Sequence, residues 1–367
     1  MFIEKAEIFV FELPFIKSYQ TSYGEMNQKR SIVIKLSSSD LSGYGEASTL
    51  PFPFYLPEYA DTSYIVLKDL IIPKILDKDI KHPSEINQLL SHIKGYNFAK
   101  YSVETALWDL YSQTTQIPLY QLLGGTNQTI QIGGSVSITK DENKLLEEIS
   151  LKVEQGYQRI KLKIKPSWDI EPLEIIRNSF PDVPLMVDAN AAYTLKDRDL
   201  LKTLDNFNLM MIEQPLGWDD LIDHTELQPQ LNTPICLDES ILSLNDTRKA
   251  IKINACKIIN LKPGRVGGLT EAKKIHDLCK KNNIGVWCGG MLESSIGAFF
   301  NLSLATLDNF IYPVALNTND YIDDIVTHKC LAKNGAVKVP NFLSDFEVDE
   351  EKLRHYTVAS HQFNSKS

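Results

Sequence analysis

Cysteine is scarce in this 367-residue sequence, which has five, and no two of them form a Cys-x-x-Cys pair. An odd number without paired spacing argues against a disulfide framework. We therefore expect the cysteines to be small, buried core side chains of a protein that works in a reducing compartment, the cytoplasm.

Long apolar runs and an excess of positive charge are also missing. No run approaches the ~18 residues of a membrane span. The amino terminus, MFIEKAEIFVFELPF, has charges at Glu4, Lys5 and Glu7, where a signal peptide would have a basic start and an unbroken apolar stretch. The net charge of −9 argues against a nucleic-acid partner, because phosphate binding requires a basic surface. We expect partners to be neither membranes nor nucleic acids.

The region before residue 125 has the pattern of a small mixed domain. Strand patterns such as EIFVFELPF and SIVIKLSSS come first, and helical patterns such as AKYSVETALWDLYSQ follow. This order is typical of an α+β domain. LLGGTNQ, Leu122 to Gln128, then predicts a linker, so we place the first domain at residues 1–124.

Beyond this linker, short apolar strands alternate with helical segments such as KLLEEISLKVEQGY. The eight strand candidates are IGGSVSI, RIKLKI, PLMVDAN, LMMIEQP, PICLDES, KIINLKP, IGVWCGG and NFIYPV. The alternation predicts an α/β fold with a parallel barrel at residues 125–318. An open doubly wound sheet is the alternative, although no GxGxxG or GxxxxGK motif supports it. We expect residues 319–367 to return to the first domain.

Five ionisable residues recur at the ends of five successive strand candidates. They are Lys163, Asp188, Glu213, Asp238 and Lys262, and consecutive members stand 25, 25, 25 and 24 residues apart. Equivalent strand ends surround the carboxyl-terminal mouth of a barrel, where barrel enzymes have their active sites. Taken singly, each aspartate could be a helix N-cap and each lysine a solvated group. Five in one register favour a shared site.

The three carboxylates come from neighbouring strands and would repel one another without a cation between them. Oxygen ligands favour Mg²⁺, with Mn²⁺ as a possible substitute, and no His or Cys in this register favours zinc. The two lysines come from the second and sixth strands, which face each other across a ring of eight. This arrangement predicts proton transfer at the carbon next to a substrate carboxylate, with the metal stabilising an enediolate.

The segment RIKLKIKP alternates apolar residues with Lys161, Lys163 and Lys165, so its lysines share one face of a strand. We expect this face to point into the barrel mouth. Lys163 is the candidate base and Lys161 its electrostatic neighbour, because burial and nearby positive charge lower the pKa of a lysine toward neutrality.

These segments together resemble a known family. The motifs RIKLKIKP, VDANAAYTL, IEQPL, TPICLDESI, IINLKPGRVGG and VWCGGMLES resemble those of the enolase superfamily, and within it the muconate-lactonising subgroup. The resemblance is greatest to the group that contains o-succinylbenzoate synthases and N-acylamino acid racemases. With SYGEM, ETALWDL and PLYQLLGG it extends through nearly the whole chain.

The resemblance implies a modified TIM barrel, (β/α)7β, under an N-terminal α+β capping domain, and it implies a homo-oligomer. It also implies three metal ligands, a catalytic pair and two supporting residues. In this sequence the implied metal ligands are Asp188, Glu213 and Asp238, and the implied catalytic pair is Lys163 and Lys262. The implied supporting residues are Lys161 and Asn190.

For a synthase, the resemblance implies Mg²⁺-dependent syn-dehydration of 2-succinyl-6-hydroxy-2,4-cyclohexadiene-1-carboxylate to 2-succinylbenzoate, in menaquinone biosynthesis. Lys163 would remove the α-proton and then protonate the departing hydroxide, while Lys262 stays charged. For an N-succinylamino acid racemase, the two lysines would be base and acid on opposite faces. Both hypotheses stay open, as do a muconate-type lactonase, a sugar-acid dehydratase and a non-catalytic metal-binding barrel. Two opposed lysines would have no use in the last of these.

Substrate specificity is expected from the cap loops and from the far side of the barrel. YQTSYGEM, with Tyr23, and LPFPFYLP, with Phe54, are aromatic and punctuated by Gly or Pro, as a lid over an apolar ring requires. Both patterns are also typical of surface turns. PVALNTND replaces the Gly-Asp pair that is usual in relatives, so the acyl preference could differ there. The residues expected to line the succinyl side are Ser135, Gly289, Gly290 and Met291.

Overall fold

The computed structural model describes residues 1–21, 24–126, 129–341, 343–345 and 347–365. The strands are β1 (Lys5–Thr21), β2 (Gly24–Ser38), β3 (Leu41–Ala47), β4 (Thr129–Val136), β5 (Ile160–Lys163), β6 (Leu185–Asp188), β7 (Ile212–Glu213), β8 (Ile235–Leu237), β9 (Ile258–Asn260), β10 (Gly285–Trp287), β11 (Val314–Ala315), β12 (Ala336–Lys338) and β13 (Thr357–Asn364).

The α-helices are α1 (Ala60–Val66), α2 (Ile72–Ile75), α3 (Glu85–Leu89), α4 (Asn97–Thr115), α5 (Leu119–Leu122), α6 (Glu142–Glu154), α7 (Ile170–Ser179), α8 (Arg198–Thr203), α9 (Ile222–Leu227), α10 (Leu244–Lys252), α11 (Pro263–Val266), α12 (Leu269–Lys281), α13 (Ser295–Leu304) and α14 (Glu350–Tyr356). A π-helix spans Leu67–Ile71, and 3₁₀ helices span Leu195–Asp197, Leu204–Phe207, Gln228–Gln230 and Thr318–Asp320. Within the described ranges, no helix combines the length and the apolar character needed to cross a bilayer.

Strands β4 to β11 form a parallel barrel. Each strand from β4 to β9 pairs with its successor, and β11 pairs with β4. The ring closes where the amide of Ile311 donates to the carbonyl of Val286 at 3.1 Å and the amide of Ala315 donates to the carbonyl of Cys288 at 2.9 Å. All eight predicted barrel strands are present, so the barrel prediction is confirmed and the open-sheet alternative is wrong.

The barrel interior beneath the mouth is filled with large side chains. Met186, Met211, Cys236 and Trp287 form one buried cluster there. The guanidinium carbon of Arg159 lies 4.2 Å from the centroid of the Trp287 ring. This packed layer is the floor of the site. The five cysteines are buried and free, as expected.

The N-terminal sheet is antiparallel, in the order β13-β1-β2-β3, and α4 packs against β3. Two glycines of β3 permit this packing. A Cβ at Gly43 would lie 2.2 Å from the carbonyl oxygen of Ala106, and one at Gly45 would lie 1.9 Å from that of Ser102. Because a real Cβ cannot approach a backbone oxygen so closely, any side chain at these positions would push α4 away.

The C-terminal segment contacts both parts of the molecule. β12 pairs antiparallel with barrel strand β4, and β13 pairs antiparallel with β1 of the N-terminal sheet. We propose domain boundaries at 124/125 and 318/319, where the chain enters and leaves the barrel. Of the predicted linker 122–128, positions 127 and 128 lie outside the described residues.

Two buried carboxyl groups of the capping domain accept hydrogen bonds from backbone amides at the amino termini of two barrel helices. Glu104 of α4 accepts from the amides of Leu269 at 2.5 Å and Thr270 at 3.2 Å, at the start of α12. Glu46 of β3 accepts from the amide of Ser294 at 3.1 Å, at the start of α13. The first amides of a helix have no partner within the helix, so these hydrogen bonds satisfy them and fix the cap over the barrel mouth.

Candidate active site

The strand register brings the predicted residues to one end of the barrel. Lys163 pairs with Asp188 across β5 and β6, and Asp188 pairs with Glu213 across β6 and β7. Asp238 directly follows β8, and Lys262 stands two residues after the end of β9. β5 and β9 are the second and sixth strands of the ring, so the two lysines approach the mouth from opposite sides.

Lys161 bridges two of the carboxylates. Its Nζ lies 2.8 Å from Asp188 Oδ2 and 3.2 Å from Glu213 Oε2, and all three side chains are buried. Burial alone would raise the pKa of Asp188, but the ammonium groups of Lys161 and Lys163 outweigh it and hold that pKa well below its ordinary value. Asp188 is therefore held as an anion beside a buried cation.

Lys163 is the more accessible of the two lysines on this strand, with its side chain 18% exposed. Its Nζ donates to Asp188 Oδ2 at 2.7 Å and to Asn190 Oδ1 at 2.6 Å. Lys165, one step further along, is exposed beyond the end of β5. The lysine face of RIKLKIKP thus points into the mouth at Lys161 and Lys163 and reaches solvent at Lys165.

Lys262 lies on the opposite side in a second cluster. Its Nζ donates to Asp238 Oδ2 at 2.9 Å and to the hydroxyl of Tyr55 at 3.1 Å, and it sits 4.5 Å from the centre of the Tyr55 ring. Burial opposes the charged form, but the attraction of Tyr55, Glu213 and Glu239 prevails and raises the pKa of Lys262 above its ordinary value. In the absence of a bound cation, these contacts favour the ammonium form of Lys262.

Asp238 is held from three sides. Besides Lys262, it accepts a hydrogen bond from Tyr55 at 3.1 Å and forms an ion pair with the buried guanidinium of Arg265. The helices that follow β6 and β8 have Thr194 and Ser243 as their N-caps. The N-cap alternative for Asp188 and Asp238 is therefore wrong.

Glu239 adds a fourth carboxyl group to the site. Its Oε1 accepts from Asn190 Nδ2 at 3.2 Å, whereas its Oε2 is buried without a hydrogen-bond partner among the described residues. Burial and the nearby charge of Asp188 raise the pKa of Glu239 to about 7. A buried acceptor without a donor is costly, and it is the kind of atom that a cation or a ligand group satisfies.

The donor chemistry of this end of the barrel fits a hard divalent cation. Asp188, Glu213 and Asp238 are buried carboxylates on three neighbouring strands, and Glu239 has an unused oxygen. In the part of the chain that the structure describes, no three His, Cys, Asp or Glu side chains are arranged as a metal cage. The carboxylate oxygens of Asp188, Glu213 and Asp238 contact lysine and arginine side chains instead. Those lysine and arginine side chains would have to move for a cation to bind.

The predicted substrate-binding residues take different positions. Met291 Sδ lies 3.7 Å from Lys262 Nζ, and the amide of Gly289 donates to Asn260 Oδ1 at 2.8 Å. A Cβ at Gly290 would lie 2.6 Å from Asn317 Oδ1, in the segment PVALNTND. These three residues form the loop beside Lys262. Ser135 pairs in register with Lys161, on the neighbouring strand β4.

Two cap residues were also expected at the substrate. Tyr23 lies outside the described residues. Phe54 is 47% exposed, with its ring 5.5 Å from that of Phe52, whereas the next residue, Tyr55, reaches the site. Within the predicted lid segment, the residue that contacts Lys262 is therefore Tyr55, one position after Phe54.

Sequence reasoning missed three other residues. Arg265 donates to Tyr55 and to the carbonyl of Asn260, and Asn260 Nδ2 donates to Glu213 Oε1 at 2.7 Å. Both lie in the quoted motif IINLKPGRVGG, so the signal was present without an assigned role. Glu239 directly follows the predicted ligand Asp238 in the quoted motif TPICLDESI, and it too had no assigned role.

Comparison with known proteins identifies the family of this chain. Residues 5–124 match the mandelate racemase/muconate lactonizing enzyme N-terminal domain, and residues 144–342 match the enolase C-terminal domain-like family. The chain therefore belongs to the enolase superfamily, in its muconate-lactonising group. Membership in this family implies a divalent metal ion.

The relatives narrow the comparison further. The chain is 45% identical over 350 residues to the o-succinylbenzoate synthase of Geobacillus kaustophilus, covering 94% of this chain and 93% of that protein. It is 39% identical to the N-succinylamino acid racemase of Thermus thermophilus, covering 93% of each. The crystal structure of an enolase superfamily member from Listeria innocua superposes with a TM-score of 0.95, at 39% identity and 99% coverage of both chains.

Proposed function

We propose that this protein is an o-succinylbenzoate synthase, which dehydrates 2-succinyl-6-hydroxy-2,4-cyclohexadiene-1-carboxylate to 2-succinylbenzoate, a step of menaquinone biosynthesis. One C–H bond and one C–O bond break on the same face of the ring. The proton and the hydroxide leave together as water, and the ring becomes aromatic. Relatives named for this reaction share 39–45% identity over nearly the whole chain, which supports the proposal.

The observation that carries the proposal is the placement of two lysines on opposite sides of the mouth. Lys163 Nζ, held by Asp188 and Asn190, removes the α-proton as general base. The same Nζ then returns a proton to the departing hydroxide, because both groups leave from one face. Asn190 and Asp188 orient this amine toward the substrate rather than toward solvent.

Lys262 stays protonated in this reaction. Its raised pKa and its contacts to Asp238 and Tyr55 keep an ammonium group opposite Lys163. Positive charge fixed where negative charge develops on the substrate carboxylate stabilises the transition state more than the ground state.

The metal ligands in this proposal are Asp188, Glu213 and Asp238, and the ion is Mg²⁺, with Mn²⁺ as a substitute, because all three donors are carboxylates. When bound, the ion supplies a Lewis acid beside the substrate carboxylate. Lys161 remains next to Asp188 and Glu213 and offsets their mutual repulsion.

Racemisation of N-succinylamino acids is a second activity that the same geometry supports. A lysine on each side of one α-carbon can remove the proton from one face while the other lysine donates to the opposite face. Relatives from Thermus thermophilus and from an Amycolatopsis species, both named N-succinylamino acid racemase, are 39% identical to this chain.

The purified protein should be assayed with Mg²⁺ on the cyclohexadiene substrate and on both enantiomers of an N-succinylamino acid, and the values of kcat/KM compared. The proposal predicts the larger kcat/KM for dehydration. Racemisation without dehydration would make the racemase the function. Turnover of neither substrate would contradict both proposals and leave the lactonase, the sugar-acid dehydratase and the non-catalytic barrel.

A further inference from the structure

Lys29 is a buried lysine that the proposed mechanism does not use. It lies on β2 of the cap and is 1% exposed. Taking an ammonium group out of water is costly unless hydrogen bonds and nearby charge compensate it. The Lys29 Nζ donates to the carbonyl oxygens of Thr49 at 2.5 Å and Met291 at 2.7 Å. Burial lowers the pKa of Lys29 to about 8, against the opposing attraction of Glu46 and Glu293.

Each acceptor lies next to a segment that reaches Lys262. Thr49 immediately precedes the cap segment Leu50–Pro57, whose Tyr55 hydroxyl is 3.1 Å from Lys262 Nζ. Met291 belongs to the barrel loop, and its own sulfur is 3.7 Å from the same Nζ. A single ammonium group thus joins the residue before the cap segment to the barrel loop, and both the cap segment and the barrel loop contact Lys262.

The barrel loop needs such a restraint. Leu292 has a φ of +58°, a left-handed conformation that costs a non-glycine residue free energy and persists only where neighbours hold it. Lys29 holds the carbonyl that precedes Leu292, and the hydroxyl of Tyr321 donates to the carbonyl of Leu292 itself at 2.5 Å. The strained turn is therefore clamped on both sides, once from the cap and once from the C-terminal segment.

We propose that Lys29 is a positioning residue for Lys262: it ties the cap segment Leu50–Pro57 to the barrel loop Gly289–Glu293 and so fixes Tyr55 and Met291 around the Lys262 amine. The inference rests on the proposed function for the role of Lys262. In the described part of the chain, the hydrogen bonds of Lys29 go to Thr49 and Met291, and those of Lys163 go to Asp188 and Asn190, so the two lysines share no partner. Loss of Lys29 should therefore weaken chemistry on the Lys262 face and spare chemistry on the Lys163 face.

The test compares Lys29→Met with wild type in two measurements. The first is α-proton exchange in D₂O, followed by NMR, for each enantiomer of an N-succinylamino acid with Mg²⁺ present. We expect at least a tenfold loss for the enantiomer whose exchange Lys262→Ala abolishes, and less than a twofold change for the other. The second is amide hydrogen exchange by mass spectrometry, in which protection should fall in residues 49–57 and 289–293.

The controls separate positioning from a general loss of stability. Lys35→Met removes an ammonium group from the same strand, where Lys35 pairs with Glu350, and it should change neither the enantiomer ratio nor the protection of the two segments. Lys29→Arg retains a cation with N–H donors and should restore the ratio. If Lys29→Met does not fold, Lys29→Gln, which retains an N–H donor on a shorter stem, takes its place under the same criteria.

Equal losses for both enantiomers, or unchanged protection of residues 49–57 and 289–293, would overturn the inference. If wild type exchanges the α-proton of neither enantiomer, the proposal of racemase activity is wrong. The change in amide protection of residues 49–57 and 289–293 then tests the role of Lys29 by itself. The two failures are thereby distinguishable.

Discussion

Tyr55→Phe removes one hydroxyl from the centre of the Lys262 cluster. That hydroxyl donates to Asp238 Oδ1 at 3.1 Å and accepts from Lys262 at 3.1 Å and from Arg265 at 3.0 Å. Without it, Lys262 still has Asp238 Oδ2 at 2.9 Å, and Asp238 still has the Arg265 guanidinium. No buried charge loses its last partner, so the 3–5 kcal/mol typical of a broken buried ion pair is not reached.

The expected loss is that of hydrogen bonds to charged groups, about 1.5–3 kcal/mol. This corresponds to a decrease in kcat/KM for dehydration of roughly 10- to 150-fold. Steady-state kinetics with saturating Mg²⁺ would measure it, with Tyr64→Phe on α1 as a control that removes a tyrosine hydroxyl from the same domain. An unchanged kcat/KM for Tyr55→Phe, or an equal decrease for Tyr64→Phe, would refute the role given to this hydroxyl.

Three further predictions concern stability and the metal. Burial raises the pKa of Glu104 from 4.5 to about 7, so between these pH values the folded state binds more protons than the unfolded state, and the free energy of unfolding falls by about 3 kcal/mol as the pH rises to 8. The urea-unfolding free energy of wild type minus that of Glu104→Gln should therefore fall by this amount from pH 4.5 to 8. A difference that does not change with pH would contradict this. Gly45→Ala places a Cβ against the Ser102 carbonyl and should lower the free energy of urea unfolding by roughly 1–3 kcal/mol. Gly217→Ala, whose Cβ would have its nearest neighbour at 3.6 Å, should lower it much less. Removal of divalent ions with EDTA should abolish turnover and Mg²⁺ or Mn²⁺ should restore it, and full activity in EDTA would exclude the metal role of the three carboxylates.

The barrel was predictable because its signals repeat. Each parallel strand is buried on both faces and therefore appears as a short apolar run, and one strand–helix unit takes about 25 residues here, which put Lys163, Asp188, Glu213 and Asp238 in register. The pairing of β13 with β1 joins segments more than 300 residues apart, and the sequence TVASHQFN does not indicate which strand it pairs with.

The details of the site were harder to predict, because they depend on how loops turn. LPFPFYLP marks an aromatic lid, but only the folded segment decides that Tyr55 rather than Phe54 points inward. Lys29 resembles any surface lysine in NQKRS, and its burial comes from Thr49 and Met291, which are remote in sequence. The fourth carboxyl group, Glu239, is distinguished by an oxygen that has no hydrogen-bond partner within the described ranges, a property of packing rather than of sequence pattern.

In the proposed mechanism, Lys163 and Lys262 lie on opposite faces of one α-carbon of the substrate. The direct test is α-proton exchange in D₂O for each N-succinylamino acid enantiomer with Lys163→Ala and with Lys262→Ala. General-base catalysis is worth about 10²–10⁴ in rate, so each variant should lose exchange with one enantiomer by that factor and retain it with the other, in mirror-image fashion. If both variants lose the same enantiomer, or both retain the two, the lysines do not face each other across the reacting carbon.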